Sequence, residues 1–192
     1  MAQKQHNQLT GAALHEPKGV ATAVANRVYV SNGAGTGAWS QTPGTQLMQC
    51  TDVKAQNTAG GTFTAAAWQT RALGATPIIN QITGASLATN QITLPAGTYD
   101  IDAYAPAFSV DKHRLRIQNI TDAATLLLGP TTNAVAGGFV STIGVISGRI
   151  TIAATKVIEL QHRCETTRAT DGFGVLSNWT DEHFANIMIR KI

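Results

Sequence analysis

The stretch at residues 157–164 sets the terms for what this chain can fold into. Ile158, Leu160, His162 and Cys164 alternate there with Val157, Glu159, Gln161 and Arg163. A period of two places one set on each face of an extended strand. The pattern recurs with Tyr99, Ile101 and Ala103 against Thr98, Asp100, Asp102 and Tyr104, and with His113, Leu115 and Ile117 against Arg114, Arg116 and Gln118. Residues 124–128 are a short apolar run stopped by Gly129-Pro130. Residues 139–152 read as one long strand or as two broken at Gly148, and 183–192 form the last strand. With a first strand expected at 68–73, residues 62–192 hold seven or eight strands separated by turn signals and no amphipathic helix of ordinary length. The prediction is an all-β antiparallel sandwich, of which the jelly roll is the natural form.

Composition supports short strands over long helices. Ala, Thr and Gly supply 73 of the 192 residues and only 13% are charged, too few for a charged helix or coiled coil. The net charge of +3 is scattered. The one basic run, Lys112-His113-Arg114-Leu115-Arg116, is short and lacks interleaved aromatics, so nucleic-acid binding is not expected. No apolar run approaches the roughly 20 residues of a membrane span. The polar start is not that of a signal peptide, and Cys50 and Cys164 are expected as reduced thiols in a chain made in a cytosol.

Residues 1–61 differ from the rest. They carry six charges, and glycines 11, 19, 33, 35 and 37 with Pro43-Gly44 interrupt each candidate element. Strand signals occur at 27–30 and 47–53, the second just before a Gly60-Gly61 hinge. The domain boundary is therefore expected at 61/62, with 1–61 extended and unable to bury a core alone.

Chemical signals are sparse. Gly33-Ala34-Gly35-Thr36-Gly37 lacks the Lys-Ser/Thr of a phosphate loop and no helix follows it. His15-Glu16 and Asp181-Glu182-His183 are the His–carboxylate adjacencies, and neighbours in a strand point to opposite faces. The five histidines fall in no zinc spacing. Asp100 and Asp102 read as a solvated strand face, not as a calcium site. No nucleophile elbow is present, nor a Cys beside a His with an orienting carboxylate. No catalytic residue, metal or cofactor is expected. The last strand has apolar residues on both faces: Ala185, Ile187 and Ile189 on one, Phe184, Met188 and Ile192 on the other. Either a second subunit or a neighbouring loop must cover the second face.

Residues 62–192 resemble the tumour-necrosis-factor/complement globular-head jelly roll as it occurs in tailed-phage structural proteins. The resemblance is carried by Gly61-Thr62-Phe63, Trp68-Gln69-Thr70-Arg71-Ala72-Leu73 and Ile92-Thr93-Leu94-Pro95-Ala96-Gly97-Thr98-Tyr99. It continues through residues 113–119, Glu159-Leu160-Gln161-His162, Gly172-Phe173-Gly174 and residues 184–191; Gly74 stands where the pattern often has Asn. It implies a homotrimer with flat subunit faces packed round a threefold axis, and makes Phe184, Ile187, Met188, Ile189 and Ile192 the expected core and trimer strand. Residues 6–39 separately resemble an N-terminal segment of phage virion proteins, through His6-Asn7-Gln8-Leu9-Thr10-Gly11, Leu14-His15-Glu16-Pro17-Lys18-Gly19-Val20 and residues 28–39. That implies a docking peptide anchored by Leu9, Leu14, His15, Glu16, Pro17, Lys18, Val20, Tyr29 and Trp39. Such an extended segment orders on a partner surface. The expectation is a non-enzymatic virion protein, a capsid decoration or head fibre with a capsid or tail protein as partner. A receptor- or glycan-binding tail-fibre tip, using loops at 131–133 and 166–168 on a host-surface glycan, is the second reading.

Overall fold

The computed structural model describes residues 27–31, 33–34, 37–41 and 46–192. The chain divides into two compact units, Met1–Thr42 and Pro43–Ile192. The described part of the first is an antiparallel hairpin of β1 (Arg27–Ser31) and β2 (Gly37–Gln41).

The second unit holds β3 (Leu47–Lys54), β4 (Gln69–Thr70), β5 (Ile79–Asn80), β6 (Ser86–Ala88), β7 (Gln91–Leu94), β8 (Gly97–Phe108) and β9 (Asp111–Asn119). They are followed by β10 (Ala124–Leu128), β11 (Thr132–Ala134), β12 (Ser141–Ile152), β13 (Lys156–Cys164) and β14 (Glu182–Lys191). Among the described residues there is no helix. One sheet runs β12-β8-β14-β3-β5; the other runs β10-β9-β13-β7-β6, with β11 added on β9 and β4 on β13. All pairings are antiparallel. Counted in chain order, the principal strands β3, β7, β8, β9, β10, β12, β13 and β14 lie in the orders 6-3-8-1 and 5-4-7-2. That is the strand order of a jelly roll.

Period-two faces make the core. Tyr99, Ile101, Ala103 and Ala105 of β8, with Ile187 and Ile189 of β14, meet Leu115, Ile117, Ile158 and Leu160 of the facing sheet, all buried. Tyr99 reaches its place from the Leu94-Pro95-Ala96-Gly97 turn, and its hydroxyl donates to the Pro95 carbonyl at 2.7 Å. A smaller cluster of Phe63, Ala107, Val110, Ala134 and Cys164 fills one end.

Three expectations need correction. The boundary lies at 42/43, not 61/62, because β3 pairs with β14 along eight residue pairs, from Glu182–Lys54 to Arg190–Leu47, and is the first strand of the sandwich. Gly60 and Gly61 are no hinge: their amides donate to the carbonyls of Gly174 and Thr170 at 2.9 and 2.8 Å. The strand expected at 68–73 shrinks to the two residues of β4, because Arg71 turns inward. Gly148 does not break β12. The strand pairs with β8 from Ser141–Phe108 to Ile152–Gly97, and the missing side chain makes room for Leu127, which a Cβ at 148 would meet at 2.8 Å.

This boundary has a direct consequence. A chain starting at residue 43 is expected to keep the cooperative melt of the sandwich, and a chain starting at 62 to lose it, since β14 then has no partner on one edge. Circular dichroism melts of the two truncations check this; a cooperative melt from the 62 start would contradict it.

Candidate functional site

The outer face of the β12-β8-β14-β3 sheet is split into two halves. Register puts Asp100 opposite Arg149 and Arg190, and Asp102 opposite Ser147 and Met188. Arg149 clamps Asp100 through two bonds of 2.6 and 2.8 Å, while Ser147 and Arg190 donate to Asp102 at 2.7 and 3.2 Å. The guanidinium of Arg149 holds the Asp100 carboxyl below its ordinary range. Both carboxylates are thus taken by arginine, and among the described residues no group of three or more His, Cys, Asp or Glu gathers for a metal. Further along the same face the exposed side chains are mostly apolar; Asn186, opposite Tyr104, is buried and accepts from Gln49 at 2.8 Å. Tyr104, Val145 and Ile143 are 46%, 46% and 56% exposed, with Met188 half-buried beside them.

The last strand divides along the same line. Ile187 and Ile189 point into the core, whereas Phe184 is buried on the other side. It lies under the 172–174 loop: a Cβ on Gly174, at φ +144°, would meet the Phe184 ring at 2.3 Å, so only glycine lets the loop close this tightly. The neighbouring loop therefore covers the Phe184 end, and Met188 stays on the open face. Ile192, past the end of β14, is more than half exposed and belongs to no core.

Between the sheets sits a buried basic cluster; alternation places His113 and His162 on the core side, but neither their pairing nor the inward turn of Arg71 is visible in the sequence. Arg71 is the largest fully buried side chain; its backbone amide donates to Leu160 of one sheet at 2.8 Å, and Nη2 donates to the carbonyls of Phe184 and Phe173 at 2.8 and 3.1 Å. Its guanidinium stacks on the Phe173 ring at 4.3 Å. Burial lowers it to about 10, still protonated at neutral pH, with Asp52 supporting the charge. His113 and His162, brought together from strands 49 residues apart, share a 2.9 Å bond between Nδ1 and Nε2. His113 Nε2 meets the Thr142 hydroxyl at 2.7 Å, and His162 lies against Phe63. Burial pushes His113 down to about 4 and His162 well below the ordinary imidazole range, with Arg71 adding to both effects. Register also sets Cys164 opposite His113, a Cys–His adjacency hidden by a separation of 51 positions. Burial raises this thiol to about 11, so it is no thiolate nucleophile.

The two ends of the sandwich differ as well. The chain enters β3 beside the C-terminus, where the Lys191 amide donates to the Gln46 carbonyl and that of Ile192 to the Thr98 carbonyl, both at 3.0 Å. At the opposite end, where β8 and β13 finish and β9, β12 and β14 begin, the long loops collect. They expose Phe139 (81%) and Trp179 (85%). Of the expected glycan-facing loops, Thr132 bonds His113 and is half-buried, while Thr167 is exposed and accepts from the Ala65 amide at 2.9 Å.

Of the expected docking residues, Tyr29 and Trp39 are paired across the β1–β2 hairpin, their rings edge to face with centroids 5.4 Å apart. Val28, Tyr29 and Val30 are exposed. Leu9, Leu14, His15, Glu16, Pro17, Lys18 and Val20 lie outside the described residues. No helix among the described residues is long and apolar enough to cross a membrane.

No protein-family model matches the chain, and no curated protein does. Among solved structures, murine APRIL at pH 5.0 is similar over 76% of this chain and 98% of its own, at 10% identity and a TM-score of 0.46. The globular domain of zebrafish complement 1qA matches over 77% and 97%, at 13% identity and 0.42. The PRD1 vertex protein P5 matches over 77% and 97%, at 17% identity and 0.41. At these values the likenesses add nothing to what the strand order already establishes.

The histidine pair makes stability depend on pH. In the unfolded chain both imidazoles bind protons near 6.5; in the folded chain His113 does so only near 4 and His162 well below 6.5. Between these values the unfolded state carries more protons, so stability falls as pH drops from about 6.5 towards 4. Carboxylates held low by hydrogen bonds, such as Asp111 and Asp171, act at lower pH still. The melting temperature is expected to drop by roughly 5 °C or more from pH 7 to 4.5. A His113→Gln/His162→Phe variant is expected to flatten that slope, as read by thermal melts at both pH values.

Proposed function

We propose that this chain is a non-enzymatic structural component of a tailed-phage particle: a homotrimeric capsid decoration or head-fibre protein that docks by its N-terminal unit and displays the jelly-roll knob. The observation that carries the assembly is the row of Tyr104, Val145 and Ile143 beside Met188, apolar side chains left open on a flat sheet face whose remaining charges are already paired. Contiguous apolar surface on a soluble domain marks an interaction site. The docking role draws on the sequence resemblance of residues 6–39 to virion segments, and the exposed Val28, Tyr29 and Val30 of the hairpin suit a peptide that orders against a capsid or tail protein. No heptad shaft or internal repeat separates hairpin from knob, which favours a short appendage over a long tail fibre.

A second reading is favoured by Phe139 and Trp179. Two exposed aromatic rings on loops at the end opposite chain entry suit a receptor- or glycan-binding tail-fibre tip.

Native mass spectrometry of the full chain tests the assembly. A mass near three times 20.2 kDa is expected, falling to that of a monomer in Val145→Asp, whose side chain faces away from the core. A wild-type monomer at micromolar concentration would contradict the homotrimer, as would a Val145→Asp trimer of unchanged stability.

A further inference from the structure

The other sheet presents the opposite chemistry. On the outer face of β9 and β13, Arg114 stands directly across from Arg163, and Arg116 across from Gln161. Like charges opposed across a strand pair cost stability, so something other than folding accounts for the pairing. Elsewhere in the sandwich the exposed or half-buried arginines are matched by carboxylates: Arg149 by Asp100, Arg168 by Asp171 and Arg190 by Asp102. Here, among the described residues, no carboxylate forms an ion pair with Arg114, Arg116 or Arg163, and Glu159 reaches Arg116 through its field alone. Arg114 donates to the Gly129 carbonyl at 3.2 and 3.0 Å, and Arg116 to Gln161 and Thr125 at 2.8 and 3.2 Å, all neutral acceptors.

The nearest acid is occupied. Glu159 accepts from Thr70 and Gln161 at 2.6 Å and from Gln91 at 2.9 Å. Burial would raise its carboxyl, and these bonds outweigh that and hold it low. Glu165 is tied to Lys112 at 3.2 Å. Burial lowers the Arg116 guanidinium and the nearby Arg163 lowers it further, with Glu159 opposing them in part. Arg114 and Arg163, with Thr131, His113 and the Lys112–Glu165 ion pair, line a cleft of about 380 Å³, so its uncompensated charge is that of the two arginines. That falls within the roughly 300–1,000 Å³ of small-molecule clefts.

We propose that this cleft binds a carboxylate-bearing polysaccharide, one acidic sugar seated between Arg114 and Arg163 with its neighbours along β9 towards Arg116. Guanidinium forks suit carboxylates, taking them through two parallel bonds. The Thr131 hydroxyl beside them suits a sugar hydroxyl. A nucleic acid fits less well. The cations span only residues 112–116 along the strand, roughly 13 Å at 3.3 Å per residue. The neighbouring Trp68 is also already capped by Arg116 at 4.3 Å, so its face is not free to stack a base. The proposal deepens the second reading above, and its failure would leave the homotrimer untouched.

The test uses the full chain at low salt with three probes by isothermal titration calorimetry: a hexamer of galacturonic acid, the same hexamer fully methyl-esterified, and a hexathymidylate. Binding of the acid is expected, weakened tenfold or more by esterification and tighter than that of the oligonucleotide. Arg114→Gln/Arg163→Gln is expected to cost tenfold or more with an unchanged melt, and Lys156→Gln, which removes one charge elsewhere, little. Absence of binding to the acid hexamer, equal binding of its ester, equal or tighter binding of hexathymidylate, or unchanged binding by the double variant would each overturn the proposal. If the double variant fails to fold, loss of binding in Arg163→Gln, whose side chain is exposed, decides the same question.

Discussion

A charged guanidinium crosses the middle of this sandwich. The Arg71 backbone amide donates to Leu160 of one sheet and its side chain donates to Phe184 of the other and to Phe173 of the loop, so one residue ties the two layers together. A cation so deep survives because carbonyls, the Phe173 ring and the field of Asp52 replace water. The same charge shapes what lies around it. It helps keep both histidines neutral, and a neutral pair can share one proton across a short bond where two imidazoliums would repel. The interior at this end is polar and only partly matched, with Nε and Nη1 of Arg71 and Nδ1 of His162 buried without a hydrogen-bond partner, while the main core is largely aliphatic.

From that frame the surfaces follow. A two-layer sandwich has two outer faces, and here their chemistry differs. One carries ion pairs graded into an open apolar row, chemistry suited to a flat protein partner. The other carries arginines with neutral partners, suited to an anion from outside. Both faces are strands of the rigid layers, so neither surface needs ordering before it binds, whereas the aromatic loops at the far end do carry that cost.

Much of this was legible in the residues, and the exceptions have physical causes. Alternation at 97–104, 112–118 and 157–164 identified β8, β9 and β13 and their buried faces, because a half-buried strand must segregate its side chains by parity. The strand at 47–53 was readable too, yet its membership was not. Gly60-Gly61 has the composition of a hinge, and only the bonds to Gly174 and Thr170 reveal it as a tie. The strand expected at 68–73 falls short for a related reason: nothing in the local sequence says that the cation of Arg71 turns inward, and only its partners show it. The His113–His162 and Arg114–Arg163 pairs each join residues 49 positions apart. Register creates such pairs, and no local pattern announces them.

Burial of the β12-β8-β14-β3 face between copies of the chain, with the loop end left open, is the central proposal. Hydroxyl-radical footprinting of the native protein reads both at once. Protection of Tyr104 and Met188, with Phe139 and Trp179 oxidised freely, is the predicted result. Oxidation of Tyr104 as rapid as that of Trp179 would contradict it.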